Sequence, residues 1–274
     1  MRYLILLVAI FMTTNGNAQS EIALAKFPID SGYFHSFDGT RIYYEVRGEG
    51  KPVVLVHGFI VHSNSWTHTP LYKDLVLHGY MVIVMDLRGN GKSGKPHNPE
   101  AYDHDAEAKD IMGLVSSLKI SHYSVVGYSR GSIITARLLV RDPRIKDAVL
   151  GGMGADFTNP QWPRRIMFYH ALRGDSVPEL EGMVRYVKQQ KLDQQALAYL
   201  QEFQPSTSRK ALGRISQPVL VISGTEDKDN GSARELAGLL RYSEIASVPG
   251  DHDHGASAPE FSNAVRAFFS RHNY

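Results

Sequence analysis

The chain has 274 residues, of which 43% are hydrophobic and 21% are charged, a composition that fits an ordinary globular protein and excludes a disordered chain. Its 30 lysine and arginine residues against 28 aspartate and glutamate residues leave a net charge of +2, which argues against a nucleic-acid partner. The absence of cysteine excludes disulfides, thiolate nucleophiles and zinc–thiolate sites.

Residues 1–18 have the pattern of a secretory signal peptide. Arg2 precedes an apolar run over residues 3–12, and Ala18 stands where a signal peptidase reads a small side chain. The run is too short to span a bilayer, which takes about 20 apolar residues. We therefore expect residues 19–274 to form one exported domain, periplasmic or secreted, with no stable membrane anchor. The alternatives are an N-terminal anchor or a buried strand.

Short apolar segments alternate with helical patterns along the rest of the chain. Segments 34–37 and 41–47 flank Asp38-Gly39, which predicts a β-hairpin. The pattern of a buried strand then recurs at 53–57, 81–86, 124–128, 148–151, 219–223 and 245–248. Apolar residues at three- and four-residue spacing predict helices at 104–118, 131–140 and 259–270. The alternation predicts an α/β fold, a mostly parallel sheet with helices on both faces.

Residues 156–214 interrupt this alternation because they contain no strand pattern. Helical patterns occur at 161–173, 178–190 and 193–203. A structureless connection of nearly sixty residues would be unusual. We expect a helical lid inserted between two strands of the sheet.

The segment Gly127-Tyr128-Ser129-Arg130-Gly131 follows a buried strand and opens a helix. This is the G-x-S-x-G pattern in the context that a serine nucleophile needs, because the sharp turn strains the serine backbone and leaves room only for small neighbours. The turn lifts the Ser129 hydroxyl out at the carboxyl end of the sheet, where the free N–H groups of the helix face any developing negative charge. The alternative is an ordinary turn in which Ser129 caps the helix.

This segment and three further motifs carry a resemblance of the chain to the α/β-hydrolase fold superfamily. The chain resembles the small, single-domain, esterase-like serine hydrolases of that superfamily, which have a helical lid. The further motifs are His57-Gly58-Phe59 followed by Trp66, the turn at 86–93, and the paired segments 224–227 and 249–252. The resemblance covers residues 34–269. The turn at 86–93 lacks the first glycine of a phosphate-binding loop, because Asp86 stands there, so we expect no nucleotide.

The resemblance implies a Ser-His-Asp triad in that chain order, with Ser129 as the nucleophile. Asp227, three residues after Gly224, stands where this fold has its acid. His252 is the implied base and is preferred over His254, which would then line the pocket or cap the last helix. The competitors for the acid are Glu226, Asp229 and, after an earlier strand, Asp156.

The resemblance also implies an oxyanion hole formed by the backbone N–H groups of Phe59 and Arg130. Two arrangements stay open for the Arg130 side chain: it pairs with an acid under the lid, or it faces a substrate carboxylate. Substrate choice is implied to lie in the lid. We expect substrate contacts from Trp162, Phe168, Tyr169 and His254, with Tyr186, Tyr199 and Phe203 as further candidates, while about half of the aromatic side chains form the core of the lid.

The expected reaction is hydrolysis of a carboxylic ester through an acyl-enzyme, with a small acyl substrate as the partner and no metal or organic cofactor. A serine nucleophile disfavours the dehalogenase and epoxide-hydrolase branches of the superfamily, which use aspartate. The alternatives are a peroxidase-, lactonase- or amidase-type member, and a non-catalytic binding protein on the same scaffold.

Overall fold

The computed structural model describes residues 22–272, so the predicted signal peptide lies outside the described residues. Within them, one sheet has the strand order β1-β2-β4-β3-β5-β6-β7-β8. β1 and β2 pair antiparallel, as do β2 and β4, and every later pairing is parallel. The strands are β1 Ile29–His35, β2 Arg41–Arg47, β3 Lys51–Val56, β4 Tyr80–Met85, β5 Tyr123–Tyr128, β6 Ile145–Gly151, β7 Val219–Gly224 and β8 Ser243–Val248.

Helices cover both faces of this sheet. They are α1 Asn64–Thr67, α2 Pro70–Leu77, α3 Ala106–Ser117, α4 Arg130–Arg141, α5 Pro163–Arg173, α6 Glu181–Gln189, α7 Gln194–Glu202, α8 Arg209–Leu212, α9 Ala233–Leu239 and α10 Pro259–His272. Successive side chains of a strand point to opposite faces. In β3, Val54 and Val56 pack with the apolar residues of α3, α4 and α9, whereas Val53 and Leu55 pack with those of α2 and α10. Both faces of the central strands are therefore buried away from solvent, as the continuous apolar runs predict.

The segment between β6 and β7 is helical throughout its regular structure in the described chain, and we refer to residues 156–214 as the lid. It contains α5, α6, α7 and α8. The lid has a small apolar core of its own, which includes Leu172, Val187 and Leu200. Phe59 and Ile60, from the loop after β3, pack against that core. The lid therefore rests on the sheet at the edge where the parallel strands end.

The structure differs from the sequence expectations mainly where burial is weak. β1 spans Ile29–His35 rather than residues 34–37 alone, and most of its side chains are exposed, so it lacks an alternating pattern. The helices α2 and α9 were not predicted; each follows a short turn, and Thr69 and Ser232 cap their first turns. Among the helices of residues 22–272, none has the length and hydropathy needed to cross a bilayer.

Candidate active site

Ser129 occupies a sharp turn between β5 and α4. Its backbone has φ 54° and ψ −126°, a region that side-chain-bearing residues rarely adopt. The turn requires glycine on either side, because a Cβ on Gly131 would lie 2.2 Å from the carbonyl oxygen of Val56, and one on Gly127 would lie 2.4 Å from that of Gly131. The Ser129 N–H donates to the carbonyl of Gly151 at 2.8 Å. The strain is thus held by packing against β3 and β6.

The structure brings the hydroxyl of Ser129 together with side chains from two distant loops. The Ser129 Oγ lies 2.9 Å from Nε2 of His252, in the loop after β8. The other ring nitrogen of His252, Nδ1, lies 2.9 Å from Oδ2 of Asp227, in the loop after β7. Because β5, β7 and β8 are parallel, their carboxyl ends share one edge of the sheet, which explains how three distant segments meet there.

The carboxylate and the imidazole change each other's proton affinity. Burial alone would lower the pKa of His252, but the hydrogen bond and the charge of Asp227 outweigh it, so the pKa is raised above its usual range. Burial would raise the pKa of Asp227, but the hydrogen bond from His252 outweighs that effect and the pKa is lowered. Asp227 therefore stays ionised and favours the tautomer in which Nδ1 carries the proton, leaving Nε2 free to accept the proton of Ser129.

Two residues that the sequence did not single out support the position of His252. The Tyr128 hydroxyl donates to the backbone carbonyl of His252 at 2.7 Å. The Asn230 amide donates to the carbonyl of Gly152 at 3.1 Å and lies 3.4 Å from Nδ1 of His252. Tyr128 stands directly before Ser129 in the G-x-S-x-G segment, which is the one signal that could have identified it.

The predicted oxyanion donors lie on either side of Ser129. Arg130 is the first residue of α4, so its N–H has no partner within the helix. The loop that carries Phe59 passes close to Ser129, because a Cβ on Gly58 would lie 3.3 Å from the Ser129 Cβ. Ser129, Phe59 and Arg130 line the same cavity. This placement allows both N–H groups to face a carbonyl oxygen that Ser129 attacks.

The Arg130 side chain adopts the first of the two arrangements considered from sequence. Its guanidinium binds both carboxylate oxygens of Glu107 in α3, at 2.7 and 2.6 Å, and also donates to the carbonyl of Leu200 in the lid at 2.9 Å. Arg130 and Glu107 are both buried. This bidentate pair joins the sheet, α3 and the lid beneath the site.

Two other features noted in the sequence, His57 and the 86–93 segment, make hydrogen bonds that hold the backbone in place. His57 is buried, and its Nε2 accepts the N–H of Leu87 at 3.0 Å. Burial lowers the pKa of His57 to about 4, so its ring stays neutral. The Asp86 carboxylate accepts N–H groups of Ser63 and Lys92, which makes the 86–93 segment a turn as expected.

The competing acids are engaged away from the imidazole. Asp229 pairs with Arg164 at 3.2 Å. Asp156 lies in a single 3-10 turn at the start of the lid and lines a different cavity. Among the described residues, no hydrogen bond joins Glu226, Asp156 or the side chain of Asp229 to His252.

A cavity of about 170 Å³ opens between Ser129 and the lid. Trp162 and Phe168 line it, as the sequence predicted. Tyr169 does not; it packs with the core of the lid, and Arg173 lies over its ring. His254 is also outside the cavity: its ring is exposed and binds Asp251 at 2.6 Å. The two predictions of substrate contact by Tyr169 and His254 thus require correction, because helix direction and loop geometry turn these side chains away.

A second cavity meets the same pair of catalytic candidates from the other side. It has a volume of about 380 Å³ and includes Ser129 and His252 in its lining, together with Val61, Trp66 and Tyr128. Phe59 borders both cavities. The hydroxyl of Ser129 therefore lies between two spaces that can receive the two halves of a cleaved molecule.

In residues 22–272, no group of three or more metal-ligating side chains occurs.

Comparison with known proteins agrees with this architecture. A family model described as "alpha/beta hydrolase fold" matches residues 51–181. The chain is 28% identical over 264 residues to the non-heme chloroperoxidase of Streptomyces lividans, which covers 82% of this chain and 94% of that protein. It is 36% identical over 117 residues to the non-heme haloperoxidase of Rhodococcus erythropolis, which covers 42% of this chain but only 41% of that protein.

Among solved structures, an esterase (EaEST) from Exiguobacterium antarcticum superposes with a TM-score of 0.72 at 21% identity, covering 88% of this chain and all of that one (100%). The chain has the α/β-hydrolase fold, which confirms the fold class that the sequence motifs predicted, and its residues 51–181 are similar to the α/β-hydrolase family. The names of these similar proteins state different reactions: a chloroperoxidase in one case and an esterase in the other.

Proposed function

We propose that the protein hydrolyses carboxylic esters through a covalent acyl-enzyme on Ser129. The observation that carries this proposal is the continuous chain of two 2.9 Å contacts, from Ser129 Oγ to His252 and from His252 to Asp227. A serine hydroxyl is a poor nucleophile unless an adjacent base takes its proton. The raised pKa of His252 and the ionised Asp227 beside it supply such a base.

The reaction follows in two steps. Nε2 of His252 takes the proton from Ser129 Oγ as the oxygen attacks the acyl carbon, and the N–H groups of Phe59 and Arg130 stabilise the oxyanion. The ester C–O bond breaks as His252 gives its proton to the departing alkoxide. A water molecule then gives its proton to His252 and attacks the acyl carbon, and the acid leaves as Ser129 Oγ regains a proton.

The two cavities support an assignment of the substrate's halves. The cavity under the lid is lined by lid and loop side chains, including Trp162 and Phe168, and we assign it to the acyl chain. The second cavity, lined by Val61 and Trp66, then receives the alcohol. His252 lines both, so it can protonate the leaving oxygen and later activate water for the acyl group.

A second candidate is transfer of the acyl group to hydrogen peroxide in place of water, which yields a peroxy acid. The similarity to the Streptomyces lividans non-heme chloroperoxidase, over 82% of this chain, favours it. The same triad serves both reactions, because hydrogen peroxide replaces water only in the second step. Formation of peroxy acid from an ester and hydrogen peroxide, measured beside hydrolysis of the same ester, gives the ratio of the two activities.

The experiment that tests the proposed hydrolysis uses 4-nitrophenyl esters from acetate to octanoate and the Ser129→Ala variant. We expect kcat to fall by about 10⁴-fold or more, with unchanged circular dichroism. Ser121→Ala is the matched control, because Ser121 is an exposed serine two residues before β5 begins, whereas Ser129 directly follows the end of β5. Folded wild-type protein that cleaves none of these esters would favour the binding-protein alternative, and full activity of Ser129→Ala would refute the nucleophile.

We also propose that the protein is exported after removal of residues 1–18. The signal pattern supports this proposal: a positive residue, a ten-residue apolar run at 3–12 and a small residue at Ala18. N-terminal sequencing of the protein recovered from the secreting host's periplasm and medium should begin at Gln19. Recovery of only the full-length chain, attached to membranes, would contradict the proposal.

A further inference from the structure

The cavity under the lid has an unusual distribution of charge. Three arginines line it, Arg130, Arg164 and Arg165, and among the described residues of its lining there is no aspartate or glutamate. Glu107 neutralises Arg130 from behind the cavity wall. The two lid arginines are adjacent in the first turn of α5, which has no acidic residue in that turn.

Arg165 is held in place by neutral groups. Its guanidinium donates to the backbone carbonyls of Gln201 at 2.7 Å, Glu202 at 3.0 Å and Pro160 at 3.0 Å. Within the described chain it forms no ion pair, although the charge of the exposed Glu202 acts on it from a greater distance. Burial lowers the pKa of Arg165, but an arginine starts from so high a value that it stays charged at neutral pH. Three carbonyls thus orient a positive charge without neutralising it.

Arg164 is only partly neutralised. It pairs with Asp229 at 3.2 Å, and both side chains are substantially exposed, so water screens this pair. Its guanidinium also lies 5.2 Å from the centre of the Phe168 ring. Arg164 therefore adds positive potential to the lining that it shares with Arg165.

Neutral polar groups complete this end of the cavity. Gln201 and Gln204 line it, and Gln201 is only 5% exposed. A side-chain amide carries two N–H donors, so Gln201 and Gln204 can each donate to a ligand in the cavity. The remaining wall is apolar and includes Ile133, Met153 and Trp162.

From this arrangement we infer that the preferred substrate carries a carboxylate on the part of the molecule that enters the cavity under the lid, separated from the scissile ester by a short apolar chain. Arg165, Arg164 and Gln201 are its specificity-determining residues. The inference rests on the proposed ester hydrolysis at Ser129. A guanidinium suits this role because it presents parallel N–H donors to the two oxygens of a carboxylate. Arg165 is partly buried, so water screens such a contact less than it screens one at the surface.

The test compares each anionic ester with its neutral methyl ester. One pair places the carboxylate on the acyl chain: mono-(4-nitrophenyl) adipate and methyl 4-nitrophenyl adipate. The other places it on the leaving group: 4-acetoxybenzoate and methyl 4-acetoxybenzoate. Uncatalysed rates are subtracted. We expect kcat/KM to favour the anionic member at least ten-fold in the adipate pair, whose acyl chain enters the cavity under the lid, through a lower KM, and the preference to shrink as ionic strength rises.

Variants link the preference to the lid. In Arg165→Gln the ratio of anionic to neutral kcat/KM should fall about ten-fold or more, and in Arg164→Gln it should fall less. Arg165→Lys should restore part of the ratio, because it keeps the charge without the paired donors. Arg173→Gln is the control, since Arg173 lies in the same helix but pairs with Asp175 at an exposed site. The ratio compares kcat/KM for the anionic and the neutral ester within one variant. A loosened lid that lowers kcat/KM equally for both esters therefore leaves the ratio unchanged.

The outcomes separate the two claims. Neutral esters cleaved without any preference for the anionic member of the adipate pair would overturn the inference and leave the proposed hydrolysis intact, as would a preference that survives both arginine variants. If no ester is cleaved, the proposed hydrolysis fails, and adipate binding to Ser129→Ala, measured by calorimetry, tests the anion site alone. Binding that weakens at least ten-fold on adding Arg165→Gln supports the site, and no binding overturns it.

Discussion

The edge of the sheet and the lid are built in different ways. At the sheet edge, Ser129, Asp227 and His252 each follow a buried parallel strand, and their contacts are short and direct. The lid has a small core of its own and contacts the sheet through the Phe59 loop and through hydrogen bonds such as that from Arg130 to Leu200. The first region places reacting atoms, and the second surrounds a cavity.

This difference indicates a division of labour. Chemistry that needs fixed distances is carried by strand ends, which the whole sheet holds in register. We propose that selection of a substrate is carried by the lid helices, which lie outside the sheet. Variants at the sheet edge should therefore change turnover of every ester, whereas lid variants should change the ratio between esters. Substitutions in each region can show whether catalysis and substrate selection depend on different residues.

The largest effect is expected from His252→Ala. Removal of the imidazole leaves Ser129 without a base, so kcat should fall by about 10⁴-fold or more for anionic and neutral esters alike. His254→Ala is the matched control, since its exposed ring binds Asp251 and lies outside both cavities that meet at Ser129. Steady-state kinetics on 4-nitrophenyl butyrate measures both. A greater loss in His254→Ala would reverse the assignment of the base.

A somewhat smaller loss, with a pH signature, is expected from Asp227→Asn. In the wild type, kcat/KM should rise with pH as His252 loses its proton, with a midpoint above the usual histidine value of about 6.5, because Asp227 raises the pKa of His252. In Asp227→Asn the rate should fall by about 10³- to 10⁴-fold and the midpoint should move to lower pH, since burial then acts without the carboxylate.

Asp229→Asn provides the comparison for that profile. Asp229 acts on His252 only by its charge, as a lesser contribution to the raised pKa, so its removal should move the midpoint slightly and cost far less activity. Equal profiles in the wild type and Asp227→Asn would contradict the assigned role of Asp227.

The junction between the two regions is tested by Glu107→Gln. The change leaves the buried Arg130 guanidinium without its counter-charge, which should reduce the free energy of unfolding by about 3 kcal/mol. Glu235→Gln is the control, because its pair with Arg209 is exposed and should contribute less than about 1 kcal/mol. Urea unfolding followed by circular dichroism gives both values. Similar losses in the two variants would show that the Arg130–Glu107 pair does not anchor the lid.

The smallest effect is expected at Asp147, a fully buried residue of β6 that lies four positions before the end of the strand at Gly151. Burial raises the pKa of Asp147 to about 6 from its usual 3.8. The folded state therefore binds this proton more tightly, and its contribution to stability is lost as pH rises from about 4 through 6. Asp147→Asn removes that loss. Relative to wild type, the variant should gain on the order of 2 kcal/mol in unfolding free energy between pH 4 and pH 7.

Urea unfolding at the two pH values measures this gain in stability. Turnover of a 4-nitrophenyl ester shows whether Asp147→Asn also affects catalysis. Turnover should stay near that of the wild type, because Asp147 lies outside the cavities at Ser129. A stability difference that does not change with pH would contradict the ionisation of Asp147 as its cause.

The sequence predicted the sheet well because its central strands are buried on both faces. The runs at 53–57 and 219–223 match β3 and β7 to within two residues at their ends. The first strand was placed too late, because β1 is an edge strand with mostly exposed side chains and carries no apolar pattern. The order of Ser129, Asp227 and His252 could be read along the chain since each stands directly after a strand.

The lid was predictable as helix, but the sequence could not tell which of its side chains line the cavity. Helical spacing marks α5 and α7, yet it does not tell which face meets the sheet; Phe168 lines the cavity and the next residue, Tyr169, joins the core of the lid. The contacts of Arg165 with the carbonyls of Gln201 and Glu202 depend on how α5 and α7 pack against each other. Such tertiary contacts leave no local pattern in a single sequence.

Covalent capture of Ser129 by a fluorophosphonate is the most direct measurement of the central claim. An activated nucleophile should react with one equivalent of the reagent, and peptide mapping by mass spectrometry should place the adduct on Ser129. Labelling should be lost in Ser129→Ala and strongly slowed in His252→Ala, while His254→Ala should label at the wild-type rate. Folded wild-type protein that remains unlabelled, or an adduct on another serine, would contradict the account.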